Sequence, residues 1–111
     1  MIHVYINRSK AGFIQSFEMT GHAYFDNPGK DIVCAGASAV SFGTVNAIEV
    51  LIKVKPVIEM KEKGFLRVEI PENLDSLTSE KVQLLLEGML VSLKTIERDY
   101  GEYIRIHNHN F

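Results

Sequence analysis

Two side chains in this chain have the types and the spacing for covalent chemistry. Cys34 is the only cysteine, and His22 precedes it across a loop of eleven residues. A chain segment of that length closes its ends to hydrogen-bonding distance at small entropic cost. Asp31 stands just before an apolar run that begins at Ile32, where a helix N-cap belongs. Cys34 then falls in the first helical turn, where unpaired N–H groups and the helix dipole favour an anion and hence a thiolate. An imidazole at hydrogen-bonding distance adds a base. Ser38, four residues on, shares that helix face, and Gly21 gives the loop backbone freedom just before the histidine. The parts are those of an activated thiol nucleophile for acyl transfer, with helix-start N–H groups, that of Cys34 among them, as oxyanion donors.

Each residue also has a plainer reading. A free cysteine in an apolar helix is commonly a small core side chain. The histidine can be a loop residue, Asp31 only a cap and Ser38 only packing. Metal binding by Cys34 with His22, or by His107 with His109 near the C-terminus, has too few ligands of the right spacing. No metal or cofactor is expected. His3 has no sequence partner and reads as structural.

The elements that must position these residues follow from hydropathy period. Ile2, Val4 and Ile6 alternate with polar neighbours, as in a half-buried strand. After a turn at residues 8–12, Phe13, Gln15, Phe17 and Met19 alternate with Ile14, Ser16 and Glu18, which predicts a hairpin. Asn27-Pro28-Gly29 is strong turn chemistry and marks a loop. Residues 32–54 are apolar almost all round and rich in small residues, so that helix should be buried on two sides, against a sheet and against a partner subunit. Its length raises a membrane-spanning reading, but Asn46, Glu49, Lys53 and the lack of aromatic flanks speak against it. Pro56 should end it.

Residues 57–61 and 65–70 flank Glu62-Lys63-Gly64 as a second hairpin. A helix capped by Thr78 or Ser79 should run to about Asp99 with Val82, Leu85, Leu86, Met89, Leu93 and Ile96 inward, stopped by Gly101. Residues 103–106 make a last strand. The order β-β-α-β-β-α-β predicts an α+β fold, a mainly antiparallel or mixed sheet packed with two helices in a single domain over residues 1–111.

Composition restricts the partners. The 12 Lys and Arg are outnumbered by 14 Asp and Glu, for a net charge of −2. No basic face is available as a nucleic-acid footprint, so direct RNA or DNA binding is not expected. A single thiol suits a reducing compartment. The N-terminus lacks the basic and apolar regions of a signal peptide, so the expected location is cytoplasmic.

The stretch Gly21-His22-Ala23, followed by Gly29-Lys30-Asp31-Ile32-Val33-Cys34-Ala35-Gly36-Ala37-Ser38-Ala39-Val40, resembles the ribosomal-processing cysteine protease family, often called Prp. The likeness continues at Phe42-Gly43, at residues 45–48 and at Glu87-Gly88-Met89-Leu90-Val91-Ser92-Leu93, and so covers essentially the whole chain. The resemblance implies a thiol endopeptidase that removes a short N-terminal extension from large-subunit ribosomal protein twenty-seven, cutting after an aromatic residue. It places the catalytic histidine on His22 and the nucleophile on Cys34. Gly21, Asp31 and Ser38 match the family's accompanying positions. It also implies a homodimer, with the ribosomal protein precursor as peptide substrate. The rival reading is a non-catalytic ribosome-assembly module that holds an extended peptide on a sheet edge.

Overall fold

The computed structural model describes residues 1–27, 30–61 and 64–110, with the backbone alone at 109 and 110. Pro28 and Gly29 of the first expected turn, Glu62 and Lys63 of the second, and the His109 side chain lie outside the described residues.

The order of elements is the expected one. Strands β1 (Ile2–Arg8) and β2 (Ile14–Thr20) precede helix α1 (Ile32–Ala47). Strands β3 (Val57–Lys61) and β4 (Phe65–Glu69), helix α2 (Ser76–Tyr100) and strand β5 (Ile104–Asn110) follow. They form one mixed sheet of order β3-β4-β2-β1-β5. Both hairpins are antiparallel, and β5 runs parallel to β1, Ile2 facing Ile104 and Tyr5 facing His107.

Alternation along the strands sends Ile2, Val4, Ile6, Phe17, Met19, Leu66, Val68 and Ile104 to one face, where they are buried with Val33, Ala37, Val45 and Ile48 of the first helical stretch and Val82, Leu86, Met89 and Leu93 of α2. The opposite sheet face carries His3, Tyr5, Glu18, Arg67 and His107, all half-buried. Arg67 bonds Glu18 at 2.6 Å there.

Several local expectations needed correction. The register slips between Asn7 and Arg8, so that Asn7 faces Ser16 but Arg8 faces Ile14. One extra residue in β2 bends the strand and moves the inward set. Ile14 is therefore buried at 1 % exposure, while Phe13, expected inside, is 49 % exposed. The long apolar helix is interrupted: α1 gives way to a π-helical turn at Ile48–Ile52, and Lys53, at φ 63°, ends it before Pro56 is reached. By length and composition Ile32–Ile52 could cross a membrane, but Val33, Ala37, Ser41, Val45 and Ile48 of this stretch are buried in the protein core or beside it. The cap of α2 is Asp75 rather than Thr78 or Ser79, its carboxylate accepting from Thr78 N and Oγ1, both at 2.9 Å. Gly101 does follow the last helical residue, but with φ −62° rather than in the left-handed form.

Candidate active site

Three elements meet at the end of the sheet where β1 starts and β2 finishes. Gly21, just past β2, has φ +86°, and a Cβ there would run into the Met1 carbonyl oxygen. Its N–H donates to Gly64 O at 2.8 Å, which ties the His22 loop to the β3–β4 turn. The positive φ and the lack of room for a Cβ each require glycine at residue 21. His22 follows and is exposed. The next residue, Ala23, is buried at 3 % exposure and donates its backbone N–H to Cys34 Sγ at 3.3 Å. Tyr24 has φ 56° and meets the His22 ring edge-on at 5.8 Å. Phe25 is seated between Tyr100 and Tyr103, its centroid 5.6 and 5.1 Å from theirs, with both rings edge-on.

Asp31 is the N-cap of α1 and does more than cap. Its Oδ1 accepts from Val33 N and Cys34 N, both at 3.0 Å. Its Oδ2 accepts from Phe25 N at 2.9 Å and Asp26 N at 3.4 Å. Burial pushes this carboxyl up, but N–H donors from Cys34, Phe25 and Asp26, joined by the Cys34 thiol, outweigh it and hold the group below the ordinary carboxylate range. One carboxylate thus fastens the loop after His22 to the helix that carries Cys34. The backbone N–H of Cys34, expected to be open for an oxyanion, is already donated to Asp31.

Cys34 is half-buried in the first turn of α1, and Ser38 is exposed one turn later. Two adjoining clefts converge on the thiol. The larger, roughly 630 Å³, is lined by His22, Tyr24, Asp31, Cys34 and Ser38 among others. The smaller, roughly 230 Å³, has His22, Cys34 and Ser38 in its wall together with Met19, Phe42, Met60 and Leu66. All five residues singled out in the sequence therefore lie at one place: His22, Cys34, Asp31 and Ser38 line the larger cleft, and Gly21 lines the smaller. A third and larger concavity, roughly 830 Å³, lies at the other end of the strands by Asn7, Arg67 and Gln83. It contains neither cysteine nor histidine.

The structure adds contacts that sequence reasoning did not find. Gly64 abuts His22, and its only sequence signal was turn composition. Phe25 and Tyr24 belong to a loop whose residues showed no pattern. His3 has a partner after all: its Nδ1 lies 3.0 Å from Nε2 of His107, and both rings stack with Tyr5 on the far sheet face, away from Cys34. No group of three or more metal-binding side chains occurs among the described residues.

A thiol in the first turn of a helix, receiving a backbone N–H and sharing a cleft with an exposed imidazole, has the parts of an activated thiol nucleophile. Comparison with known proteins agrees. The family model described as "Cysteine protease Prp" matches residues 1–105, and the chain belongs to that family. The ribosomal processing cysteine protease Prp of Bacillus subtilis is 51 % identical over 107 residues, covering 96 % of each chain. A crystal structure of the essential ribosomal processing protease Prp from Staphylococcus aureus, with a covalently linked product peptide, superposes with a TM-score of 0.89 at 41 % identity, covering 98 % of this chain and 100 % of that one. The same Staphylococcus aureus protease with a substrate peptide gives 0.83 at 40 % identity, over 98 % and 100 %. The chain is thus a cysteine protease of the ribosomal-processing kind, and the non-catalytic module is set aside.

Proposed function

We propose that this protease removes the N-terminal extension of the precursor of large-subunit ribosomal protein twenty-seven, with His22 and Cys34 as its catalytic dyad. The observation that carries the dyad is the convergence of the two side chains on one cleft, with Ala23 N–H aimed at Sγ.

His22 takes the thiol proton of Cys34, and Sγ adds to the scissile carbonyl carbon. The tetrahedral adduct collapses as imidazolium protonates the leaving amine, which departs as the new N-terminus of the mature protein. Water, deprotonated by the same imidazole, then attacks the thioester and frees the peptide acid and the thiol. Cys34 N–H can serve the oxyanion only by leaving Asp31, so Ala23 N–H is the donor better placed to turn from sulfur to oxygen as the bond forms. Gly21, Asp31 and Ser38 act in support: Gly21 by its turn, Asp31 by joining loop to helix, Ser38 as a hydroxyl in the cleft wall. The apolar smaller cleft suits an aromatic side chain on the acyl side of the cut.

The enzyme works in the cytoplasm as a homodimer, without nucleic acid or membrane as direct partner. Val50 at 64 % and Leu51 at 72 % exposure are apolar surface that a second copy would cover.

Incubation with the precursor, followed by mass measurement, tests the reading. Wild type should release one N-terminal fragment ending in an aromatic residue. Cys34→Ala and His22→Ala should release none, with Cys34→Ala still binding precursor. Cleavage by Cys34→Ala would overturn it.

A further inference from the structure

Strand β3 poses a question that the core does not answer. Every residue of Val57–Lys61 is exposed, at the outer edge of the sheet. The strand contributes no residue to the buried core, yet it and β4 carry the turn that reaches the active site. At the end of that turn Gly64 has φ +72°. A Cβ built there would lie 2.9 Å from His22 Nε2, 3.1 Å from His22 Cε1 and 2.7 Å from Gly21 O. The imidazole therefore rests directly on the Cα of Gly64, with no room for a methyl group. The Gly64 carbonyl meanwhile accepts the N–H of Gly21, the residue before the histidine. One glycine thus fixes both the backbone that leads into His22 and the side on which its ring lies.

We infer that Gly64 is a positioning residue for the His22 imidazole, and that the β3–β4 hairpin is there to present it. The inference rests on His22 being the catalytic base. The Nε2–Cε1 edge lies against Gly64, so the hairpin blocks the ring on that side, and His22 and Gly64 share the wall of the smaller cleft with Cys34. Any side chain at residue 64 pushes the ring by several tenths of an ångström or more, because the Gly21 carbonyl on the other flank is backbone and cannot move aside alone. Displacements of about 1 Å in a catalytic group cost on the order of a hundredfold in rate.

Backbone strain must be separated from displacement, and Gly12 provides the control. It also has a left-handed φ, +92°, but a Cβ there meets nothing within 4 Å. Gly64→Ala and Gly12→Ala thus share the strain of an L-residue at positive φ, and only the first crowds His22. Precursor cleavage is measured for both, well below their melting temperatures, with His22→Ala alongside. The expected result is a fall in kcat on the order of a hundredfold for Gly64→Ala with KM within about twofold of wild type. Gly12→Ala should keep wild-type kcat at a comparable loss in Tm. Alkylation of Cys34 by iodoacetamide at neutral pH, which needs no substrate, should slow in Gly64→Ala and not in Gly12→Ala.

Equal kcat losses in the two glycine variants, or wild-type kcat in Gly64→Ala while His22→Ala is dead, would overturn the positioning role and leave the dyad standing. An active His22→Ala would remove the dyad and this inference together. Should Gly64→Ala not fold, the wild-type protein decides. A nuclear Overhauser effect between a Gly64 Hα and the His22 ring Hε1 is expected, and its absence would overturn the contact.

Discussion

Asp31 Oδ2 receives the backbone N–H of Phe25 at 2.9 Å, while its other oxygen caps the helix that bears Cys34. Loop and helix start are therefore one unit, joined through a single carboxylate. Asp31→Ala should lower Tm by about 5 °C, from the lost cap alone in a chain of this size. It should also lower kcat/KM more than a plain helix cap would, because the loop after His22 comes loose. Asp31→Asn keeps an acceptor for the cap and should lie between. The effect has a pH signature. The folded carboxyl is held below its unfolded value, so its contribution is present above the unfolded value and lost as pH falls through the folded one. Thermal melts of wild type and Asp31→Asn should converge in that acid range; a constant gap down to the lowest pH would contradict it.

Phe25 anchors the same loop to the end of α2 and the start of β5 through Tyr100 and Tyr103. Such edge-on pairs contribute about 0.5–1.5 kcal/mol each beyond burial. Phe25→Ala should reduce kcat/KM roughly tenfold with a smaller loss of Tm than a core truncation, since Phe25 itself is 38 % exposed and the loop opens locally. Hydrogen exchange at residues 22–27 should accelerate in the variant and stay unchanged in α2.

Far from the cleft, Arg8 and Glu87 form a two-pronged pair, both N–O distances being 2.7 Å. The same guanidinium reaches Gly12 O and Asn108 Oδ1 at 2.9 Å each, so it joins β1, its turn, β5 and α2. Hydrogen bonding to Arg8 holds the Glu87 carboxyl below its usual range, partly opposed by burial. Its stabilisation is therefore full above the unfolded value and fades as pH drops through the lowered one. Glu87 is 44 % exposed, so screening limits the pair to about 0.5–1 kcal/mol. Glu87→Gln should melt a few degrees lower at pH 7 with unchanged kcat. Arg8→Ala should cost more, through Gly12 and Asn108. Equal losses in the two variants would show that those contacts add nothing.

Leu86 is wholly buried on the inward stripe of α2. Leu86→Ala should cost about 2–5 kcal/mol. Below its lowered melting point it should cleave precursor normally, because Leu86 itself lines neither cleft at Cys34. Denaturant titration checks the first number and precursor cleavage the second.

Legibility in the sequence followed the range of the interaction. The cap at Asp31 and the first-turn place of Cys34 were readable because capping joins residues two and three apart. His22, Cys34, Asp31 and Ser38 reach one cleft from within a single short stretch, so the site could be named before its geometry. The Asp75 cap was missed because the apolar stripe that flags the helix begins at Val82, a turn and more later. The bulge that buries Ile14 and expels Phe13 arises in pairing with β1, and no local pattern reports it. His3 and His107 are 104 residues apart and meet only because β5 lies parallel beside β1. Gly64 was legible as a turn and not as a neighbour of His22, since the sheet order that brings them together is not written in any one segment.

The parallel pairing of β1 with β5 has a consequence for when activity begins. The first strand made is completed only by the last one, and Tyr103, just ahead of β5, supplies one of the two rings that hold Phe25 beside the active-site loop. Chain elongation runs from the N-terminus, so His22 and Cys34 emerge long before the residues that steady them. A chain that has reached Cys34 but not Tyr103 and β5 lacks both the parallel partner of β1 and one of the two rings that hold Phe25.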